Sequence, residues 1–260
     1  MSKGSPPVGL VPAAGRGTRL GALPCSKELL PVADDDAGPR PVAHYVLAGL
    51  RRAGVTDAVI GIAPDKTDVL RGLGPGGGPQ LPRLSYVPIE RTRGTAETLA
   101  ALLPYTQGRR VLTGFPDTIL RPGDVFRRLR AATDDGSDCH LGLFATDRLD
   151  KFDMVALDGG GRVTEIHPKP GEGPWRRAWL IAGWSVRFSE FLLEWIADPP
   201  AGELHLGFAI RDAIGAGLAV RGVDMPDVTF RDVGTPEDLR AAMREGWAVQ
   251  SGEDRPSPMA

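Results

Sequence analysis

Residues 13–20 read Ala-Ala-Gly-Arg-Gly-Thr-Arg-Leu and follow directly on the apolar run 8–11. Small residues and the glycines Gly15 and Gly17 let backbone N–H groups approach phosphate oxygens with no side chain in the way. Arg16 and Arg19 add permanent positive charge and forked donors. Lys27 follows inside Ser26-Lys27-Glu28-Leu29-Leu30-Pro31. The chemistry such a segment can do is to hold a polyphosphate. The Gly15-x-Gly17 pair alone reads equally well as a tight turn with solvated arginines. It is not the dinucleotide fingerprint, because Leu20 stands where the third glycine belongs, and no Gly-Lys-Ser/Thr follows as a Walker loop requires.

Other chemistries find less support. Cys25 and Cys139 are too few for a disulfide framework and lack a paired zinc spacing. They read as two reduced thiols in a cytosolic protein. His44, His140, His167 and His205 are scattered and read as structural or surface residues. The net charge of -2 over 260 residues, with 25% charged residues and no basic run, argues against nucleic-acid binding. No apolar run approaches a membrane span, and the polar start is no signal peptide. The chain therefore reads as cytoplasmic, with no membrane or nucleic-acid partner.

The elements that must position these residues alternate. Apolar runs predict strands at 8–11, 58–63, 84–89 and 110–115. Helical spacing predicts helices at 41–53, 67–73 and 95–103. Residues 74–79 are nearly all Gly and Pro and read as a loop. Strand–helix alternation implies an α/β fold: a mostly parallel sheet with helices on both faces. Farther on, strands are expected at 140–145, 179–188, 220–225 and 228–233. Segments 154–157 and 162–166 flank Asp158-Gly159-Gly160-Gly161, a hairpin signal. Helices are expected at 189–197, capped by Ser189, at 206–216, and at 235–247, capped by Thr235. Residues 8–248 read as one domain, with a first half at 8–135 and a second half at 136–248 built on the same sheet. Residues 1–7 read as flexible and 249–260 as disordered.

The longer string Pro12-Ala13-Ala14-Gly15-Arg16-Gly17-Thr18-Arg19-Leu20, followed by Ser26-Lys27-Glu28-Leu29-Leu30-Pro31, resembles the signature of the sugar-nucleotide pyrophosphorylases. That family includes the glucose-1-phosphate thymidylyl- and uridylyltransferases. Ser26 stands where its members usually carry proline. Further segments match in order: Arg93-Gly94-Thr95-Ala96-Glu97, a strand leading to Gly114-Phe115-Pro116-Asp117, a hairpin leading to His167-Pro168-Lys169-Pro170, Gly183 in the next strand, and Asp232-Val233-Gly234-Thr235-Pro236. The resemblance spans residues 9–244 and implies a Rossmann-like, GT-A-like three-layer nucleotidyltransferase fold. The brevity of the chain after Asp232 suggests a minimal catalytic domain, and a homo-oligomer is plausible by analogy.

What the resemblance implies is transfer of a nucleotidyl group from a nucleoside triphosphate to a sugar 1-phosphate with release of pyrophosphate. Asp117 and Asp232 would hold Mg²⁺. Arg19, Lys27 and Lys169 would be the catalytic cations. Residues Ala13, Ala14, Gly15, Arg16, Gly17, Thr18 and Gly94 would bind the nucleotide, and Asp153, Lys169 and Gly183 would line the acceptor site. Three positions depart from the family pattern. Ile89 replaces a base-contacting Gln, Pro168 replaces a sugar-contacting Glu, and Asp153 replaces a glycine of the sugar site. These leave open a non-catalytic nucleotide or nucleotide-sugar binder, or a cytidylyltransferase acting on a non-sugar alcohol phosphate.

Overall fold

The computed structural model describes residues 5–15, 17, 20–32 and 38–244. In chain order its first half comprises β1 (Val8–Ala13), β2 (Pro31–Val32), β3 (Arg40–Pro41), α1 (Ala43–Arg52), β4 (Asp57–Ile62), α2 (Thr67–Leu73), β5 (Arg83–Pro88), α3 (Thr95–Leu102), β6 (Val111–Gly114), β7 (Thr118–Arg121) and α4 (Val125–Ala132). The second half comprises β8 (Cys139–Ala145), β9 (Met154–Leu157), β10 (Val163–His167), β11 (Arg177–Trp184), α5 (Val186–Ala197), α6 (Leu206–Gly215), β12 (Val220–Asp224), β13 (Thr229–Asp232) and α7 (Pro236–Arg244).

Strands β5, β4, β1 and β6 lie side by side and parallel. β11 then runs antiparallel to β6, β8 antiparallel to β11, and β12 parallel to β8. The β9–β10 hairpin joins the same sheet through β11, as the Asp-Gly-Gly-Gly turn predicts. A mostly parallel sheet needs both faces covered, which is why its strands read as continuous apolar runs rather than alternating ones. In β1, Val8 and Leu10 join one core while Val11 and Ala13 join the other. The first core takes Leu99 of α3, Phe188 of α5 and Ile210 of α6. The second takes Leu47 of α1 and Phe126 and Leu129 of α4. Each such fully buried side chain stabilises the fold by about 1.5–3 kcal/mol relative to exposure.

The register of β11 slips between Trp179 and Ile181, so Leu180 and Ile181 both reach the second core while Trp179 and Ala182 reach the first. This bulge lies beside the cleft described below, a common place for one.

Two sequence expectations change. The strand placed at 179–188 ends at Trp184, because Ser185 turns the chain: its Oγ accepts from the Phe188 amide at 3.4 Å and caps α5. Ser189 is thus inside the helix, not its cap, and accepts from the Trp184 indole at 3.0 Å. Residues 118–132, for which no element was expected, form β7 and α4, and the β2–β3 pair is likewise additional. Thr235 caps α7 as expected, accepting from the Asp238 amide at 3.2 Å. Residues 1–4, the predicted tail and the end of the predicted closing helix lie outside the described residues.

Candidate active site

Strands β1, β4, β5 and β6 all point their C-terminal ends into one open cleft of about 970 Å³. In open α/β sheets ligands bind in the crevice outside the carboxyl ends of the strands. Each strand hands over its own wall: Ala14, Gly15 and Gly17 after β1, 63–65 after β4, 89–94 after β5 and 115–117 after β6. The far wall comes from Lys151, Phe152, Asp153, Lys169, Trp179 and the start of α6.

The two proposed carboxylates meet here. β7 and β13 form a separate antiparallel ribbon in which Thr118 pairs with Asp232. The Val233 amide donates to the Asp117 carbonyl at 2.9 Å. Residues more than a hundred positions apart are thereby made neighbours, and both line the cleft. Burial, and then the Asp117 charge, push the Asp232 carboxyl up from its ordinary value, against the pull of Lys151. Two carboxylates sharing a buried site repel, and a cation placed between them relieves that repulsion. Hard divalent cations take such carboxylate oxygens, Mg²⁺ commonly using one or two with the rest supplied by phosphate and water. The donor set therefore fits Mg²⁺.

Cations face these acids. Lys27 is ion-paired with Asp117. Burial alone would depress the Lys27 ammonium, but Asp117, then Glu28 and Asp232, outweigh it and raise its pKa. Lys151 stands 2.9 Å from Asp232 and 2.6 Å from Asp238 of α7. The sequence reading missed Lys151. Its only signal there is a lysine before Phe152-Asp153, and its partners are set by tertiary contact alone. Lys169 adopts a left-handed backbone, φ 43°, unusual for a residue with a Cβ.

Asp153 does enter the cleft. Burial pushes its carboxyl up, against the nearby His205 and Lys169 charges and a hydrogen bond from the Lys169 backbone. It lies against the first turn of α6: a Cβ on Gly207 would fall 2.2 Å from its Oδ2. His205, read from sequence as a structural or surface residue, also lines this wall, 3.0 Å from Glu203.

Of the loop residues, Ala14, Gly15 and Gly17 line the cleft. Gly17 has φ +63°, which lets the loop turn back over the Lys27 stem. Ala13 ends β1: its side chain is buried in the second core and its carbonyl accepts from Lys66 at 2.8 Å. Arg16, Thr18 and Arg19 lie outside the described residues. Gly94 lines the cleft, and it must be glycine, since a Cβ there would stand 2.4 Å from the Leu204 carbonyl oxygen. Gly183, expected at the acceptor site, lies within β11, pairs with Leu112 and His140, and is not among the residues lining the cleft; the Leu112 side chain fills the space its Cβ would need, at 2.7 Å. Ile89 turns into the core over Gly61, so its side chain contributes packing rather than a base contact.

The MobA-like NTP transferase domain matches residues 9–162, more than half of the chain and every segment from the glycine loop to Asp153. The protein belongs to this family. A glucose-1-phosphate thymidylyltransferase from Streptomyces griseus is 29% identical over 244 residues, covering 88% of this chain and 63% of its own length. The bifunctional protein GlmU of Sorangium cellulosum (strain So ce56) is 26% identical over 241 residues, covering 89% of this chain and 48% of its own. The chain thus spans about half to under two thirds of these curated relatives. The fold is shared with a UDP-glucose pyrophosphorylase solved with UDP-glucose, at TM-score 0.75 and 17% identity, covering 91% of this chain and 96% of that one. The family and fold read from the sequence stand. Among the described residues no helix is long and apolar enough to cross a membrane.

Proposed function

We propose that this protein is a nucleotidyltransferase that joins a nucleoside triphosphate to a sugar 1-phosphate and releases pyrophosphate. The observation that carries this is the meeting of Asp117 and Asp232 across the β7–β13 ribbon, in a cleft that also receives Lys27, Lys151 and Lys169. The Streptomyces griseus relative is a glucose-1-phosphate thymidylyltransferase, and the matched family is one of NTP transferases.

The reaction needs charge control more than acid–base chemistry. A phosphate oxygen of the acceptor, already ionised at neutral pH, attacks the α-phosphorus. The bond from that phosphorus to the bridging oxygen breaks, and pyrophosphate leaves with the electron pair. Positioning and neutralisation of converging anions supply most of the acceleration in such transfers. The amides of 14–17 would cradle the phosphates, with Arg19 assigned to the β and γ groups. Lys27 would balance charge at the α-phosphate, and Lys169 would hold the acceptor phosphate. Asp117 and Asp232 would hold Mg²⁺, which when bound supplies charge between the triphosphate and the incoming phosphate. Asp153, His205 and Glu203 would meet acceptor hydroxyls.

The domain would run over 8–248, its two halves contributing nucleotide and acceptor sites, in a cytoplasmic protein. The test is pyrophosphate release from a matrix of nucleoside triphosphates and sugar 1-phosphates with Mg²⁺, including inositol and choline phosphates as non-sugar acceptors. Turnover with a sugar 1-phosphate is expected. Nucleotide binding without turnover on any acceptor overturns the reading.

A further inference from the structure

Lys66 lies at the end of the β4 connection, just before α2, with 10% of its side chain exposed. Its ammonium donates at 2.9 Å to both oxygens of Glu28 and at 2.8 Å to the carbonyl of Ala13. Glu28 is fully buried and is the middle residue of the short 3-10 turn that begins at Lys27. Ala13 is the last residue of β1, from which the glycine loop departs. One ammonium therefore ties the root of the loop to the turn carrying Lys27. A second tie grips the same turn from its other end: Asp68 accepts from the Ser26 amide at 2.7 Å and from the Ser26 hydroxyl at 2.8 Å. Lys27 stands between these anchors, both of which reach back to the start of α2.

A buried ion pair is a weak source of net stability, because desolvation offsets most of the attraction. Its geometric value differs. Lys27 is a long side chain with several rotors, and its turn offers only two helical hydrogen bonds of its own, from Leu29 and Leu30. We infer that Lys66–Glu28 and Ser26–Asp68 form a two-point clamp that positions Lys27, and with it the loop root, for the reacting phosphates. These four are positioning residues, since Lys66 and Glu28 are buried away from the cleft that Lys27 lines. The kinetic arm of this inference rests on the transfer activity proposed above, and the labelling arm does not.

The test uses the full chain with two readouts. The first is the rate at which the Lys27 amine is acetylated by acetic anhydride, read by peptide mass spectrometry against Lys169 in the same digest. The second is kcat and KM for pyrophosphate release. Lys66→Met leaves a buried carboxylate without its partner, so Glu28→Leu/Lys66→Met, which removes both charges, is the decisive variant. A purely structural pair would be made good by that double change; a clamp would not. The expected result is Lys27 labelling at least about tenfold faster and kcat about 100-fold lower, with KM for the nucleotide within about threefold, as a displacement near 1 Å produces. Lys66→Arg should restore both. Ser26→Ala, which leaves the ion pair intact, should give a smaller change in the same direction, and it decides the matter where the double variant does not fold. Wild-type labelling in a folded double variant, or in Ser26→Ala should that alone fold, overturns the clamp. Faster labelling in an enzyme with no turnover on any acceptor upholds the clamp and defeats the transfer reading instead.

Discussion

Lys151 serves two carboxylates with different tasks. Asp238 belongs to α7, while Asp232 faces Asp117 across the proposed metal seat. The Lys151 ammonium is held above its ordinary value, because Asp238 and Asp232 outweigh the effect of burial, so it stays charged throughout the neutral range. Asp232 is different. It must be ionised to hold a cation, and its carboxyl is raised by burial and by Asp117. Turnover should therefore fall on acidification at a pH above the usual aspartate value of about 3.9. Lys151→Met removes the charge that favours the ionised form, so the acid limb of kcat/KM should move to higher pH. A limb that stays in place would exclude Lys151 as the counter-charge. Asp117→Asn removes one of the two ligands while preserving shape, and should lower kcat by about 100- to 1000-fold. The far-ultraviolet circular dichroism should be unchanged, which separates this loss from misfolding.

At the scale of elements, the start of α6 is set by two close approaches. Gly94 lies under Leu204, whose amide donates to Arg93 at 3.0 Å and whose carbonyl accepts from Ala96 at 2.9 Å. Gly207 lies under the Asp153 carboxylate. Gly207→Ala should push Asp153 out of the acceptor wall and raise the acceptor KM about tenfold, leaving the nucleotide KM unchanged; equal effects on both would place Asp153 elsewhere. Gly94→Ala meets backbone instead of a movable side chain, and overpacking of that kind costs about 1–3 kcal/mol, readable in urea melts. These elements also show what the sequence made legible. The parallel strands were readable because burial on both faces leaves continuous apolar runs. Asp117 and Asp232, and their meeting, were expected through the family resemblance, but the β7–β13 ribbon that joins them was not, because β7 is four residues long with no pattern of its own. Lys66 and Lys151 were invisible for a related reason: a lone lysine reads as solvated until its partners fold around it. Gly183 has a packing reason that the sequence did not show, since a Cβ there would meet the Leu112 side chain.

The whole molecule places its two larger apolar cores on the two faces of the sheet and gathers a set of opposed charges in the cleft where the parallel strands end. The net charge is only -2, yet the cleft gathers Lys27, Lys151 and Lys169 against Asp117, Asp153 and Asp232. Lys27 and Asp117 come from the first half of the chain, Lys151 and Asp232 from the second, and the β7–β13 ribbon is the seam. A magnesium nucleotide seated there would contact both halves and so favour the folded state over every partly opened one. At a hundredfold excess over Kd such binding stabilises by about 2.7 kcal/mol. For a domain of this size that corresponds to a rise in Tm of about 5–10 °C. Because the Asp117–Asp232 repulsion is what a divalent ion relieves, most of that rise should vanish when a chelator is added or when Asp232→Asn is substituted. The amides and cations of the cleft would still hold some nucleotide, so a small metal-independent shift should remain in both cases. A full shift in the presence of chelator would place nucleotide affinity in the glycine loop and lysines alone, and would deny the two aspartates their part.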